Sequence, residues 1–109
     1  MINFNGFLQD NFAVTSSNRS FLYGDGIFET LKVVNGKILF SEDHYFRLMA
    51  SMRIVRMKIP MDFTLEFFEN QVISLTDVLS ISNSARVRIT VFRNEGGLYL
   101  PDQNTVSYV

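Results

Sequence analysis

The dipeptide Asn35-Gly36 constrains the fold of this chain more than any other feature of the sequence. It separates two apolar segments, Ile27 to Val34 and Lys37 to Phe40. Asn-Gly favours a type I′ turn, because both central residues of that turn take positive φ. The two segments are therefore predicted to form an antiparallel hairpin.

A second, shorter hairpin is predicted at the start of the chain. Residues 2–5 alternate apolar and polar, Gly6 allows a turn, and Phe7-Leu8 resumes the apolar pattern. This pattern is typical of a short edge hairpin. Residues 9–20 are mostly polar and are predicted to form a loop.

Two helices are predicted after the central hairpin. Ser41 is a suitable N-cap for a helix over about residues 42–58, and Pro60 would stop it. Asp62 is expected to cap a second helix, roughly residues 63–79. Apolar side chains recur at helical spacing in both segments, which gives each helix one buried face.

The remaining elements return to strand patterns. After a polar turn over residues 80–84, residues 85–92 alternate, with Ala85, Val87, Ile89 and Val91 on the apolar face and Arg86, Arg88, Thr90 and Phe92 on the other. A loop over 93–103 precedes a last strand from Thr105. The order predicts an α+β fold, in which an antiparallel sheet has two helices packed on one face.

Composition excludes several classes of function. The 109 residues fit one domain, and 47% hydrophobic residues suffice for a core. A net charge of −1 without a basic run argues against nucleic acid as a partner. With no cysteine and one histidine, no metal site or nucleophilic triad is expected. Neither a signal peptide nor a stretch of membrane-spanning length is visible, so no membrane contact and a cytoplasmic location are expected.

The segment Asn18 to Thr30 is the first candidate for a site. Tyr23 and Phe28 flank Gly24-Asp25-Gly26, and a strand follows at once. Glycines let the backbone approach a ligand closely, so the segment could form one wall of a binding site. A plain turn that only positions the strand is the commoner meaning of such a composition.

Arginines and a glycine-rich loop are the other candidates. Arg47, on the first predicted helix, could bind a phosphate through two N–H groups, or it could lie on a solvated helix face. Arg86 and Arg88 could face solvent or pair with a partner. The loop with Gly97, Leu98 and Tyr99 could be a lid, a subunit contact or a plain surface loop.

Taken in order, these segments resemble the small N-terminal domain of the class IV aminotransferases. These fold-type IV pyridoxal-phosphate (PLP) enzymes include branched-chain and D-amino-acid aminotransferases and aminodeoxychorismate lyase. The resemblance covers residues 1–109. It rests on Asn18-Arg19 with Phe21 to Thr30, on Val33 to Lys37, on Glu42 to Leu48 with Ser51, and on Arg88 to Arg93.

The resemblance implies a role for each candidate residue. Arg47 would bind the cofactor phosphate, and Phe28 would line the substrate side of the cofactor. Tyr23 would reach the site of the neighbouring subunit in a homodimer. The loop over 94–100, with Gly97, Leu98 and Tyr99, would close over the substrate, an amino acid or an amino-chorismate.

Two departures from the family pattern matter. The loop has no arginine after Arg93, which weakens assignment to the D-amino-acid or branched-chain members and leaves a lyase-like or unassigned branch. The family's Schiff-base lysine and the glutamate beside the pyridine nitrogen lie in a second domain, and none of Lys32, Lys37 and Lys58 matches that lysine.

The resemblance therefore implies an N-terminal domain of a PLP enzyme, without the C-terminal catalytic domain and inactive alone. The alternative is a non-catalytic ligand-binding or protein-interaction domain of the same architecture.

Overall fold

The computed structural model describes residues 1–81 and 83–109. It confirms an α+β fold built on antiparallel strands. In chain order the elements are β1 Ile2–Phe4, β2 Phe7–Gln9, α1 Arg19–Tyr23, β3 Gly26–Val34, β4 Lys37–Ile38, α2 Ser41–Ile54, α3 Leu65–Val78, β5 Ser84–Arg93 and β6 Val106–Tyr108.

The central sheet has four strands in the order β4-β3-β5-β6. β3 pairs with β5 along its whole length, from Gly26 opposite Phe92 to Val34 opposite Ser84. The predicted Asn35-Gly36 hairpin is confirmed, with φ of 49° and 76° at the two turn residues. Its return strand is shorter than predicted and ends at Ile38. The predicted turn over 80–84 includes Ser82, which lies outside the described residues.

The predicted N-terminal hairpin is also confirmed, as a separate two-stranded sheet of β1 and β2. Asn5, at its turn, connects it to β6. The Asn5 amide donates to the Tyr108 carbonyl over 3.0 Å, and the Tyr108 amide donates to Asn5 Oδ1 over 2.8 Å. These bonds fix the hairpin beside the edge of the central sheet.

The boundaries predicted for the helix at 42–58 are wrong at both ends. Phe40, not Ser41, occupies the N-cap of α2, in a left-handed conformation with φ of 54°. The helix ends at Ile54 because Arg56 takes φ of 60° and the amides of Arg56 and Met57 bond back to Arg53 and Met52. This is a Schellman motif, which stops the helix well before Pro60.

The second predicted helix is confirmed with shorter bounds. Thr64, not Asp62, is the N-cap of α3, and its side chain accepts a hydrogen bond from the Phe67 amide. The helix α1 was not predicted, since the residues before Gly24 show no helical period. Its cap is Asn18, whose side chain accepts from the Phe21 amide, and Gly24 ends it with φ of 66°.

The core lies between the sheet and the helices α2 and α3. It contains Leu31, Val33, Leu48, Met49, Met52, Phe63, Phe68, Val72, Ile89 and Val91. The prediction that Phe92 lies on the polar face of its strand is wrong in effect, because Phe92 is buried and its ring lies 6.2 Å from that of Phe12. Across the described residues, none of the helices has both the length and the apolar character needed to span a bilayer.

Candidate functional site

Glu29 and Arg47 form a paired charge where β3 passes beneath α2. Glu29 faces inward on β3 and is 7% exposed. Arg47 Nε donates to Glu29 Oε1 over 2.5 Å, and Arg47 Nη2 donates to Oε2 over 2.8 Å. His44, one turn earlier on α2, has its Nδ1 3.4 Å from the same Oε2. The sequence had singled out Arg47 but missed the carboxylate that holds it.

The pair shifts the pKa of both partners. The hydrogen bond from Arg47 is the largest influence on Glu29 and holds the pKa of that carboxyl below its ordinary value, although burial opposes it. The same hydrogen bond raises the pKa of Arg47. Glu29 therefore stays an anion and Arg47 a cation at neutral pH.

The geometry of this pair leaves the Nη1 group of the guanidinium for a ligand. Glu29 takes the edge formed by Nε and Nη2. Nη2 also lies 3.4 Å from His44 Nδ1, so Nη1 is the nitrogen that points away from both partners. The Arg47 side chain is 65% exposed. The residue thus fits a phosphate that approaches from solvent.

Phe28 lies on the other face of the sheet from Glu29, because neighbouring strand residues point to opposite faces. Its ring is 57% exposed, and the guanidinium carbon of Arg88 lies 4.0 Å from the ring centroid. On this outer face Thr30 is opposite Arg88, and Lys32 is opposite Arg86. Arg86 and Arg88, which the sequence left unassigned, are both exposed on this face, and Arg88 lies beside Phe28.

The outer face carries three cations close together, Lys32, Arg86 and Arg88. Like charges directly opposite each other destabilise a sheet, so this arrangement favours an anion nearby. Arg47 and Phe28 are not brought together on one face. Pairing of β3 with β4 is confined to Val33 and Val34, so the described residues place a strand on only one side of residues 27–31, the part of β3 that carries Phe28 and Glu29.

The predicted loop residues and Tyr23 lie together beside the start of β3. Gly97 has φ of 74°, and Leu98 and Tyr99 are each about four-fifths exposed. The rings of Tyr23 and Tyr99 are 5.9 Å apart and nearly perpendicular. The structure therefore brings together Tyr23 and the loop residues Gly97, Leu98 and Tyr99, and no contact joins this group to Arg47 among the described residues.

A buried cluster behind this loop was missed by sequence reasoning. Asp25 Oδ2 accepts from Arg19 Nε over 2.8 Å and from Arg93 Nε over 2.9 Å. Burial alone raises the pKa of Asp25, but the hydrogen bonds from Arg93 and Arg19 outweigh it and lower that pKa overall. All three residues belong to segments that carry the resemblance. The sequence feature that could have indicated the cluster is Arg93, a charged residue at the end of an apolar strand.

The family model for amino-transferase class IV matches residues 26–109. The chain belongs to this family. The match includes Phe28, Glu29, Arg47 and the loop over 94–100, so most of the candidate site lies within it.

Three solved structures illustrate the likeness. A branched-chain aminotransferase from Thermoproteus uzoniensis with norvaline matches 96% of this chain at 21% identity and a TM-score of 0.83. A 4-amino-4-deoxychorismate lyase from Pseudomonas aeruginosa matches 92% at 25% identity and a TM-score of 0.72. A PLP-bound hypothetical aminotransferase from Mycobacterium tuberculosis matches 93% at 26% identity and a TM-score of 0.68.

The chain spans about a third of each of these proteins, namely 37%, 35% and 34% of their lengths. The family and the PLP-bound neighbour support the expected cofactor, PLP, for the intact enzyme.

Proposed function

We propose that this chain is the N-terminal domain of a PLP-dependent class IV enzyme, either an aminotransferase or an aminodeoxychorismate-lyase-like enzyme. The observation that carries the proposal is the exposed guanidinium of Arg47, which Glu29 holds in place in a segment that matches the family. The reactive lysine would lie in a second domain, outside these residues.

Arg47 would bind the cofactor phosphate through its outward Nη1 group. Glu29 fixes the plane of the guanidinium, so little side-chain freedom is lost when the phosphate binds. His44 adds a third polar group to this corner. When bound, PLP supplies an electron sink for the bond that breaks next to the substrate nitrogen, and this chain supplies binding and orientation.

Phe28 and the outer face of the sheet would form the substrate side. Phe28 lies on the part of β3 that β4 does not cover, and it would line the substrate side of a bound cofactor. Amino acid and amino-chorismate substrates both carry carboxylates. Arg88 is an exposed cation beside Phe28, and Arg86 is exposed on the same face. These two arginines compensate for the loop's lack of an arginine after Arg93.

Tyr23, Gly97, Leu98 and Tyr99 would act across a homodimer interface. Their exposed apolar surface supports a role against a second subunit, where the loop over 94–100 would close over the substrate. A cytoplasmic homodimer is the assembly that we propose for the intact enzyme.

The decisive experiment measures PLP affinity in the natural gene product. Arg47→Lys keeps the positive charge but loses the planar guanidinium that Glu29 orients towards the phosphate. A lost charged hydrogen bond is worth about 1.5–3 kcal/mol, so the PLP dissociation constant should rise about 10- to 100-fold. Arg53→Lys, an exposed arginine on the same helix, is the matched control and should leave the affinity unchanged.

Two results would contradict the proposal. One is an Arg47→Lys variant that binds PLP as tightly as the wild type. The other is a PLP absorbance band in the 109-residue chain alone that disappears when Lys32, Lys37 or Lys58 is changed, because the reactive lysine would then lie in this chain.

A further inference from the structure

Arg19 is a buried arginine whose side chain binds residues far from it in the sequence. It is 2% exposed, at the start of α1. Its Nε donates to Asp25, and Asp25 also accepts from Arg93, which is 5% exposed at the end of β5. Buried charges need partners, and the single carboxylate cannot satisfy every N–H group of two guanidinium groups.

The remaining donors of Arg19 bind the backbone of the loop over 94–100. Nη1 donates to the carbonyls of Gly96, over 3.2 Å, and of Leu98, and Nη2 donates to the Tyr99 carbonyl over 2.9 Å. One side chain therefore fixes three carbonyls of the loop. These residues lie 77 to 80 positions from Arg19 in the sequence.

Other contacts hold the two ends of this loop. Leu98, Tyr99 and Leu100 are each about four-fifths exposed, and the Tyr99 ring contacts that of Tyr23. Glu95 accepts from Thr15 Oγ1 at its side chain and from Gln103 Nε2 at its carbonyl. Arg93 fixes the return of the chain, because its Nη1 donates to Asn104 Oδ1 over 2.9 Å. Arg19 therefore holds the middle of the loop, residues 96–99, where its guanidinium binds the backbone.

The loop also lies in a fixed relation to the strand that carries Phe28. Asp25 immediately precedes β3, and the Arg93 amide donates to the Asp25 carbonyl over 3.3 Å. Arg19 and Arg93 share Asp25, so a change in the cluster moves the loop relative to the first residues of β3. The cluster therefore connects the loop over 94–100 with the start of β3, the two parts of the proposed substrate side.

We propose that Arg19 is a positioning residue, which fixes the loop over 94–100 against β3 and so sets the substrate affinity of the site. The role of the loop towards substrate rests on the proposed function, whereas the fixing of the loop does not. Arginine suits this role because its planar donors can reach three carbonyls and one carboxylate at once, and a lysine ammonium cannot.

The first test is the mobility of the loop in the 109-residue chain. Backbone NMR order parameters of residues 96–99 should be about 0.85 in the wild type and fall below about 0.6 in Arg19→Lys. Order parameters in α2 and α3 should not change. Arg53→Lys is the matched control and should behave as the wild type. Values below about 0.6 in the wild type, or an unchanged loop in Arg19→Lys, would overturn the proposal.

The wild-type measurement tests the proposal without any variant, because a loop with order parameters below about 0.6 would overturn it. A loss of order across the whole chain in Arg19→Lys would mean that the cluster supports folding alone, and it would also overturn the proposal.

The second test distinguishes a role of Arg19 in substrate affinity from a purely structural role. In the PLP-loaded natural gene product, norvaline is added and the change in cofactor absorbance is followed. Arg19→Lys should raise the norvaline concentration for half-maximal rate by about 10- to 100-fold, with the maximal rate nearly unchanged. A fall in the maximal rate alone would contradict the role in substrate affinity. A wild type without any response would refute the proposed function for this amino acid, and the order parameters would still decide whether Arg19 fixes the loop.

Discussion

Two carboxylates, Asp25 and Glu29, are held by arginines at opposite ends of one segment. Asp25 pairs with Arg19 and Arg93, and Glu29 pairs with Arg47. Each arginine satisfies a carboxylate in the interior and also presents further donors. Those of Arg19 reach the loop carbonyls, those of Arg93 reach the Val55 carbonyl and Asn104, and that of Arg47 faces solvent. The same ion pairs therefore stabilise the fold and orient the candidate site.

These carboxylates should make the chain sensitive to acid. The ordinary pKa values are 3.8 for an aspartate and 4.5 for a glutamate, and the pKa values of Asp25 and Glu29 both lie below them. The unfolded chain therefore binds these protons more readily than the folded chain, so the stabilisation is complete above the ordinary values and is lost as pH falls below them. Urea unfolding at pH 7 and pH 3 should show a lower midpoint at the acid pH.

Asp25→Asn tests the assignment of this effect. The variant should be less stable than the wild type at pH 7, because the buried arginines lose their anionic partner, and it should lose less further stability on acidification. Asp10→Asn, at an exposed loop position, is the control and should retain the wild-type pH dependence. If Asp25→Asn showed the same loss between pH 7 and pH 3 as the wild type, Asp25 would not be a source of the acid sensitivity.

Residue-scale features differed in how far the sequence could predict them. Glu29 occupies an inward position of β3 between Ile27 and Leu31, so strict alternation could have identified it as a buried charge that needs a partner. Arg19 offers no such signal, because its contacts with Leu98 and Tyr99 depend on how distant segments meet. The sequence shows the charged residues themselves, but it does not show which residues they contact.

At the level of elements, the strands were predicted more closely than the helix ends. The Asn35-Gly36 turn determines its own geometry, so the hairpin was confirmed. The start of α2 could not be predicted from local residue types. The backbone bends at Phe40, which brings α2 over the sheet, and Ser41 is already in the first turn of the helix. Its end depends on positive φ at Arg56, a conformation that residue type does not indicate. Tertiary packing decided both ends.

Two glycines with similar backbone angles should respond differently to alanine. Gly36 has φ of 76°, and among the described residues no heavy atom lies within 4 Å of the position for a Cβ. Gly36→Ala should therefore cost only the conformational strain, about 1–2 kcal/mol. Gly97 has φ of 74°, but its Cβ would collide with the Leu100 carbonyl, so Gly97→Ala must change the loop.

Chemical shifts and urea unfolding together distinguish these cases. Gly36→Ala should lower the unfolding midpoint and shift backbone resonances near the β3–β4 turn alone. Gly97→Ala should shift resonances throughout residues 94–103 and reach Arg19 through its loop contacts. Unchanged loop resonances in Gly97→Ala would contradict the close packing of this loop.

The whole molecule presents apolar surface at one end. Phe21, Leu22, Leu98, Tyr99 and Leu100 are all exposed, on α1 and on the loop that Arg19 holds beside it. An apolar surface of this kind is typical of an interaction site. The cluster of Arg19, Asp25 and Arg93 gives this surface a fixed backbone, which lowers the entropic cost of association.

The chain is therefore expected to self-associate through this end. Sedimentation across the micromolar range should show a dimer or a higher species. Leu98→Asp places a charge in the middle of the apolar surface, and desolvating an unpaired carboxylate should weaken association at least about tenfold. Met61→Asp is the matched control, because Met61 is fully exposed between α2 and α3 and should not affect association. A monomeric wild type throughout this range, or equal effects of the two substitutions, would show that the surface formed by α1 and the loop does not mediate self-association of this chain.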